Sequence, residues 1–277
     1  MATWFITGAS RGLGAALARH ALSQGDNVVG TARDSRSVAA EFGVHDRLLP
    51  VTLDVTDAEA ARSAVAAAAE RFGGIDTVVN NAGRALLGAL EEMSDAQIRD
   101  QIDLNLFGVI NVIRAVLPTL REQRRGTIVN VSSAAGIVGF PGSSMYNSSK
   151  FAVEGLTEGL RVDLQPLGIR VLAIQPGMFR TGFLAPSALW RAEQAGAIAD
   201  YHGTPAHHQL AELDGIDGAQ QGDPAKLAAL VYEVANSQTT PARLPIGPDA
   251  VELYTHRTAR DAAELDPWRA RALSTSF

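Results

Sequence analysis

No cysteine occurs anywhere in the 277 residues. That absence removes disulfides, thiolate nucleophiles, thiolate zinc sites and iron–sulfur ligation in one step. Basic residues are in the minority: 24 Lys and Arg against 30 Asp and Glu leave a formal net charge of −6, which argues against a nucleic-acid groove or an anionic membrane surface as partner. No uninterrupted apolar run approaches the length of a membrane span. Trp4-Phe5-Ile6, the first apolar stretch, is far too short for a signal-peptide core. A cytoplasmic location is the resulting expectation. What the chain does have is apolar bulk: 46% of its residues are hydrophobic, enough for one α/β domain with a sizeable core.

Short apolar runs rich in β-formers alternate with helical patterns. Strands are expected at Thr3–Thr7, Asn27–Thr31, Leu48–Leu53, Ile75–Asn80, Thr127–Val131, Ile169–Gln175 and Leu244–Ile246. Helices are expected from Leu13 to Gly25, from Asp57 to Phe72 behind a Thr56/Asp57 cap, and from Ser94, with Gln97 completing a capping box, to about Gln123. Further helices are expected from Ser144 to about Leu164 and from Asp223-Pro224 to about Ser237. This rhythm predicts a doubly wound parallel sheet, and the near-continuous apolar strands agree, because such a sheet is covered on both faces. Residues 178–222 break the rhythm just after a strand's C-terminal end, where ligands bind in these sheets. They read as a substrate lid, and residues 247–277 as a helical tail.

The stretch from Gly126 to Lys150 carries the chemistry. Tyr146 and Lys150 are i and i+4 on one helix, about 5–6 Å apart at Cβ. An ammonium about 5 Å from a phenol, at an effective dielectric of about 20, favours the phenolate by roughly 3 kcal/mol, or about two pK units. Such a tyrosine exchanges a proton with a carbonyl or alcohol oxygen at ordinary pH. Ser133, at the end of the preceding strand, can hold the same oxygen. Asn105, a poor interior helix residue between Leu104 and Leu106, is expected to bend its helix and hold a water next to Lys150. A Tyr-x-x-x-Lys pair alone is weak, since most such pairs are a surface lysine beside a half-buried tyrosine.

Gly8, Gly12 and Gly14 lie between the first strand and the first helix, as a loop that cradles a pyrophosphate at a helix N-terminus does. The spacing is G-x-x-x-G-x-G rather than G-x-G-x-x-G. Gly8-Ala9-Ser10-Arg11-Gly12 also spells the G-x-S-x-G of a hydrolase elbow, but no upstream strand exists to supply its oxyanion loop. The second strand ends in Thr31-Ala32-Arg33 with no carboxylate before Asp34. Arg11 and Arg33 therefore suit the 2′-phosphate of NADP(H) better than a free ribose. His202, His207, His208 and Glu212 lack metal-ligand spacing and are expected at the surface, so no metal is expected.

Thr7-Gly8-x-x-x-Gly12-x-Gly14, Asn80-Asn81-Ala82-Gly83, Asn105, Ser133, Tyr146-x-x-x-Lys150 and Pro176-Gly177 with Thr181 occur in that order. Together they resemble the short-chain dehydrogenase/reductase family over roughly residues 2–182. The resemblance implies a seven-stranded Rossmann sheet in a single domain. It implies Tyr146 as general acid/base, Lys150 lowering its pKa and binding the nicotinamide ribose, Ser133 positioning the carbonyl and Asn105 holding a relay water. It implies cofactor contacts from Gly8, Ser10, Arg11, Gly12, Leu13 and Gly14, from Arg33, from Asp54 and Val55 at the adenine, from Asn81 and Ala82 at the adenosine ribose, and from Gly83. Tyr146, Lys150, Pro176, Gly177 and Thr181 complete that set. Phe179 departs from the usual Val or Ile and is expected to crowd the nicotinamide or line the substrate pocket.

The expected activity is NADPH-dependent reduction of a ketone or aldehyde, reversible as a secondary-alcohol dehydrogenase. Phe140, Met178, Phe179, Phe183, Leu184 and Trp190 suggest a bulky lipophilic small-molecule substrate. The expected assembly is a homodimer or homotetramer, with no nucleic acid or membrane partner. One alternative is a non-catalytic NADP(H)-sensing regulator; another is a sugar-nucleotide epimerase, whose larger C-terminal substrate domain is absent from this sequence.

Overall fold

Strand β1 (Thr3–Thr7) is buried along its whole length, as its Trp-Phe-Ile centre requires, and it lies inside the main sheet. In this computed structural model, which describes residues 1–185, 189–216 and 218–276, β1 pairs in parallel with β2 (Asn27–Ala32) on one side and β4 (Thr77–Asn80) on the other. With β3 (Leu48–Thr52), β6 (Gly126–Val131), β7 (Ile169–Pro176) and β9 (Arg243–Ile246) it forms a seven-stranded sheet of order β3-β2-β1-β4-β6-β7-β9. Every pairing is parallel. A second, two-stranded parallel sheet joins β5 (Leu86–Leu87) to β8 (Trp190–Arg191).

Helices cover both faces, which is why the strands carry no polar/apolar alternation. One core layer places α1 (Gly12–Ser23) and α8 (Pro224–Asn236) on Trp4, Ile6, Val129 and Ile174. There Trp4 stacks on Tyr232 at 5.2 Å, and both donate to the buried Asp26 carboxylate, at 3.1 and 3.0 Å. The opposite layer packs α3 (Ala58–Phe72) and α5 (Gly108–Gln123) on Phe5, Val29, Val78 and Ile128. Val112, Ile113, Val116 and Leu120 are fully or almost fully buried there, each worth about 1.5–3 kcal/mol relative to exposure. α6 (Ser144–Leu164) lies against β7 and carries Tyr146 and Lys150.

The predicted helix from Ser94 is α4 (Asp95–Ile102), capped by the expected reciprocal Ser94/Gln97 box. It continues through a π-helical turn, Asp103–Phe107, into α5. Asn105 sits in that turn, where the hydrogen-bonded ring holds one extra residue. By length and composition the continuous run Asp95–Gln123 could cross a membrane, which a search for unbroken apolar runs missed. Here it is a core helix with one apolar stripe buried against α3 and the sheet. Sequence reading also missed α2 (Ser35–Phe42), whose single buried residue, Val38, leaves almost no apolar periodicity to detect.

The segment 178–222 holds β8, a short 3₁₀ turn (Ala199–Tyr201) and α7 (Pro205–Asp214). Residues 186–188 and 217 of the expected lid and residue 277 of the expected tail fall outside the described residues. The tail is α9 (Pro248–Leu265) followed by a 3₁₀ turn and α10 (Arg269–Leu273), exposed along most of its length.

Candidate active site

Parallel strands bring all their C-terminal ends to one edge. The winding reverses between β1 and β4, and the crevice opens there. Gly8–Gly14 follow β1, Arg33 follows β2, Asp54 and Val55 follow β3, and Asn81–Gly83 follow β4. Ser133 follows β6, and Pro176, Gly177 and Thr181 end or follow β7. The sequence-predicted residues thus converge on one crevice, although they span more than 170 positions of chain.

The glycine loop is locked from the β4 side. Asn81 Nδ2 donates to Thr7 O at 2.8 Å and Gly8 O at 3.2 Å, while the amides of Asn81 and Ala82 donate to Thr7 Oγ1 at 2.9 and 3.0 Å. Gly8 and Gly12 have φ of +67° and +59°, in the left-handed region. Gly14 is needed for space: a Cβ there would lie 2.2 Å from Gly8 O. The N-terminus of α1 has no side-chain cap and no acidic residue in its first turn, whereas α2, α3 and α8 are capped by Asp34, Asp57 and Asp223. Exposed amides, a positive helix end and a cradle without side chains suit a phosphate-bearing ligand. Thr181 closes over this loop, its Cβ 3.5 Å from where a Gly12 Cβ would stand.

Arg33 is exposed at the end of β2, and Arg11, also exposed, is the N-cap of α1. Asp34 is spoken for: it accepts from Arg36 N at 3.0 Å and from Arg36 Nε and Nη2 at 2.8–3.1 Å. Asp54 accepts from Thr56 N and Oγ1. Val55 turns its side chain into the core, where a Cβ on Gly108 would meet it at 2.6 Å, so only its main chain could face a ligand. Arg84, which the sequence reading passed over, lies in the same neighbourhood. Its guanidinium stands 3.2 Å from the Trp190 ring centroid and 3.8 Å from Asp100. Burial first, and then Arg33, push its pKa down, against the opposing charges of Asp100 and Asp54.

The Tyr146 hydroxyl faces Ser133, whose Oγ accepts from Ala135 N at 3.1 Å. Lys150 is 7% exposed and donates from Nζ to Val131 O at 2.8 Å, 5.7 Å from the Tyr146 ring centroid. The expected depression of the phenol by the ammonium is not what this geometry gives. Burial pushes Tyr146 up to about 12, opposed only by the Ser133 hydrogen bond. Burial also pushes Lys150 down to about 8, opposed by the charge of Glu154. Desolvation dominates at both groups, and the ammonium is directed at a backbone carbonyl. Asn105 is 1% exposed and clamps the main chain of Arg84, accepting from its N–H at 3.1 Å and donating to its carbonyl at 2.9 Å. It also donates to Ser149 Oγ at 3.0 Å. A Cβ on Gly83 would stand 3.1 Å from Asn105 Oδ1 and 3.8 Å from Lys150 Nζ, so Gly83 keeps a gap open between the two.

Apolar side chains wall the phenol. Phe183 lies 6.1 Å from the Tyr146 ring, and Leu184, Leu189, Leu213, Ala85 and Leu87 complete the cluster. Phe179 does not join it. It packs on the main core between Gly222 and Gly247, because its bridge to Gly222 turns it away from the crevice. Trp190 belongs to a neighbouring cluster with Leu86 and Met93.

The histidines are only partly the surface groups expected. His207 Nε2 lies 3.0 Å from the fully buried Glu92 carboxylate. That carboxylate also accepts from Gly196 N at 2.9 Å and from Ile198 N at 3.4 Å. Burial pushes the Glu92 carboxyl up, but these hydrogen bonds outweigh it and hold it below its ordinary value. The anchor is therefore in place at neutral pH and is lost only as the carboxyl takes a proton in acid. Glu92→Ala is expected to free residues 192–207, with amide exchange at Gly196 and Ile198 faster by about tenfold or more. Unchanged exchange at those amides would mean the contact holds nothing. Among the described residues no group of three His, Asp or Glu is placed to hold a metal ion.

The short-chain dehydrogenase family model matches residues 2–192. An oxidoreductase of Botryotinia fuckeliana, BOA17, is 37% identical over 276 residues, covering 99% of this chain and 98% of that protein. A 3-ketodihydrosphingosine reductase of Bacteroides thetaiotaomicron is 36% identical over 245 residues, 88% of this chain and 87% of that one. The crystal structure of a short-chain dehydrogenase from Streptomyces avermitilis superposes over 100% of both chains with a TM-score of 0.88 and 37% identity. Similar folds have been solved with NAD, in a Burkholderia phymatum protein (25% identity, 96% and 95% coverage, TM-score 0.81), and with NADP, in ElxO (27%, 91% and 99%, 0.73). Crevice geometry and likeness agree over the whole length: this chain belongs to the short-chain dehydrogenase family and is one of its oxidoreductases.

Proposed function

We propose that the protein reduces a ketone or aldehyde to an alcohol with NADPH, and runs in reverse as a secondary-alcohol dehydrogenase. The observation that carries this is the joined placement of Ser133, Tyr146 and Lys150 at the crevice edge, with apolar side chains on the phenol's open flank. When bound, the dinucleotide exchanges hydride with the substrate carbon. Tyr146 gives its phenol proton to the carbonyl oxygen, and Ser133 holds that oxygen in place. The ammonium of Lys150 offsets the charge that develops on the phenol, and Asn105 fixes the turn beside it. Gly8, Gly12 and Gly14 with the amides at the start of α1 would hold the pyrophosphate. Asn81, Ala82 and Gly83 would meet the adenosine ribose, and Thr181 would close over the nicotinamide end. Ser10, Leu13, Asp54, Val55, Pro176 and Gly177 would complete the cradle.

NADPH is favoured over NADH because Asp34, the acid directly after β2, is tied to Arg36, leaving Arg33 and Arg11 for a 2′-phosphate. Arg33→Asp is expected to shift the NADPH/NADH ratio of kcat/KM by about tenfold toward NADH, the size of one charged hydrogen bond at an exposed site. An unchanged ratio would refute the assignment. The substrate is proposed to be bulky and lipophilic, since the cluster around Tyr146 presents Phe183, Leu184, Leu189 and Leu213. The name of the Bacteroides relative, 3-ketodihydrosphingosine reductase, points the same way. Residues 178–222 act as the lid. Exposed Phe107, Phe151 and Val162 on and beside the two long helices support a homodimer built on them, in a cytoplasmic protein. Incubating the protein with NADPH and a panel of aryl, steroid and long-chain ketones tests the reading. Absence of NADPH consumption with every ketone and aldehyde offered would defeat it.

A further inference from the structure

Tyr146 and Lys150 mark two turns of α6, and one turn further on the same face stands Glu154, a carboxyl only 2% exposed. Nothing in the reaction just described uses it. Its surroundings are unusual for a buried acid. Ser132 at the end of β6 and Gln175 on β7 face it, Arg243 of β9 reaches Oε2 at 3.0 Å, and Gly136 makes room above it. Yet neither carboxylate oxygen has a well-aligned hydrogen bond among the described residues. Arg243 is shared with Glu158, at 2.9 Å, on the exposed rim. Arg257 of α9 is engaged elsewhere, on Ile137 O and Asp261. The carboxylate is thus held by Ser132, Gln175 and the charge of Arg243, with Lys150 one helical turn before it.

We propose that Glu154 is a positioning residue for the reaction: its buried carboxylate, one helical turn beyond Lys150, keeps that ammonium charged and so sets the pH range over which Tyr146 can deliver its proton. The proposal rests on the roles given to Tyr146 and Lys150 above. Its physical basis is independent of them. An ammonium that is 7% exposed, with one carbonyl acceptor at 2.8 Å, pays a desolvation penalty that favours the neutral amine. Glu154 is the one side-chain charge that opposes this, and even with its help Lys150 is pushed down to about 8. Burial in turn raises the pKa of Glu154, against Ser132, Gln175 and Arg243. Arg243, at 3.0 Å, is the cation that favours its ionised form.

The chain contains only two lysines, Lys150 and the exposed Lys226, so lysine labelled with ¹³C at Cε gives two resonances in the cofactor-free protein. In the wild type the Lys150 resonance is expected to titrate near 8. In Glu154→Gln its midpoint is expected to fall by roughly one pH unit, the scale of one charge about 6 Å away at an effective dielectric of about 20, partly offset by Arg243. Glu154→Asp should fall by less, with the Lys226 resonance as the internal reference. The alkaline limb of kcat/KM for ketone reduction should shift with the Lys150 midpoint, while the plateau below it is retained. A Lys150 midpoint that stays put in folded Glu154→Gln overturns the proposal, since it would mean that Glu154 is neutral or does not act on Lys150. Should the Gln variant not fold, an unmoved midpoint in Glu154→Asp does the same. A midpoint that moves while the activity limb stays fixed instead removes the catalytic role of Lys150, and with it the reading on which the proposal rests.

Discussion

Tyr146→Phe is expected to lower kcat for ketone reduction by about 10²–10⁴-fold, the contribution of one well-placed general acid, while NADPH binds as before. The phenol stands beside a second hydroxyl, Ser133, and on a turn of helix bearing a buried ammonium. Removing its oxygen leaves the ring in contact with Phe183 and the apolar wall, so the fold has no reason to suffer. Thermal stability should be unchanged or slightly higher, because a desolvated hydroxyl is gone. Ser133→Ala should cost less than Tyr146→Phe, and the double variant little more than Tyr146→Phe alone, because the two act as a unit. Titrating NADPH by fluorescence separates binding from chemistry. Turnover by Tyr146→Phe at a rate comparable to the wild type would remove Tyr146 from the mechanism.

The free-protein geometry refines why that proton is available. Simple pair electrostatics, read from the i, i+4 spacing, lowers the phenol; burial raises it to about 12 instead. A phenol held that high is fully protonated at neutral pH, the state required of a donor in the reductive direction. The oxidative direction needs the opposite state and should be favoured by alkaline pH. On the proposed mechanism Lys150 is then less a permanent depressor of Tyr146 than a charge placed to stabilise the phenolate as it develops.

Much of this was legible in the chain because the signals are local. The glycine turn, Asn80–Gly83, the Ser94/Gln97 box and the Tyr146/Lys150 pair each depend on residues a few positions apart, and each has the expected neighbours. What was not legible depends on residues far apart. The Glu92–His207 contact spans 115 positions and the pairing of β5 with β8 about 104, so nothing in the local pattern distinguishes Glu92 from Glu91 beside it. Arg84 follows Gly83 directly, yet its ring partner is Trp190. Phe179 was expected at the crevice because it precedes Thr181, but its backbone bridge to Gly222 sends the side chain into the core. Glu154 is the exception: its i+4 relation to Lys150 was available, and only its burial was not.

Gly14→Ala is expected to be the most damaging single methyl group in the cofactor cradle. A Cβ at that position would lie 2.2 Å from Gly8 O, 2.9 Å from Gly8 C and 2.6 Å from Asn81 Nδ2. Two of these are backbone atoms, and the third belongs to the side chain that pins the loop to β4. No rotamer change relieves the clash, so either α1 moves off β1 or the loop opens. Overpacking of this kind costs about 1–3 kcal/mol of stability. Moving the pyrophosphate cradle by even about 1 Å is expected to weaken NADPH by about 10²-fold. Gly25→Ala is the control: Gly25 has φ +86° with no atom within 4 Å of its notional Cβ. It carries a similar strain of about 1–2 kcal/mol in a left-handed conformation but lies at the far end of α1. Both variants should melt earlier than the wild type, and only Gly14→Ala should lose cofactor. If Gly14→Ala binds NADPH as the wild type does, the close approach of α1 to β1 is a packing feature alone, and the cradle must lie elsewhere on the crevice.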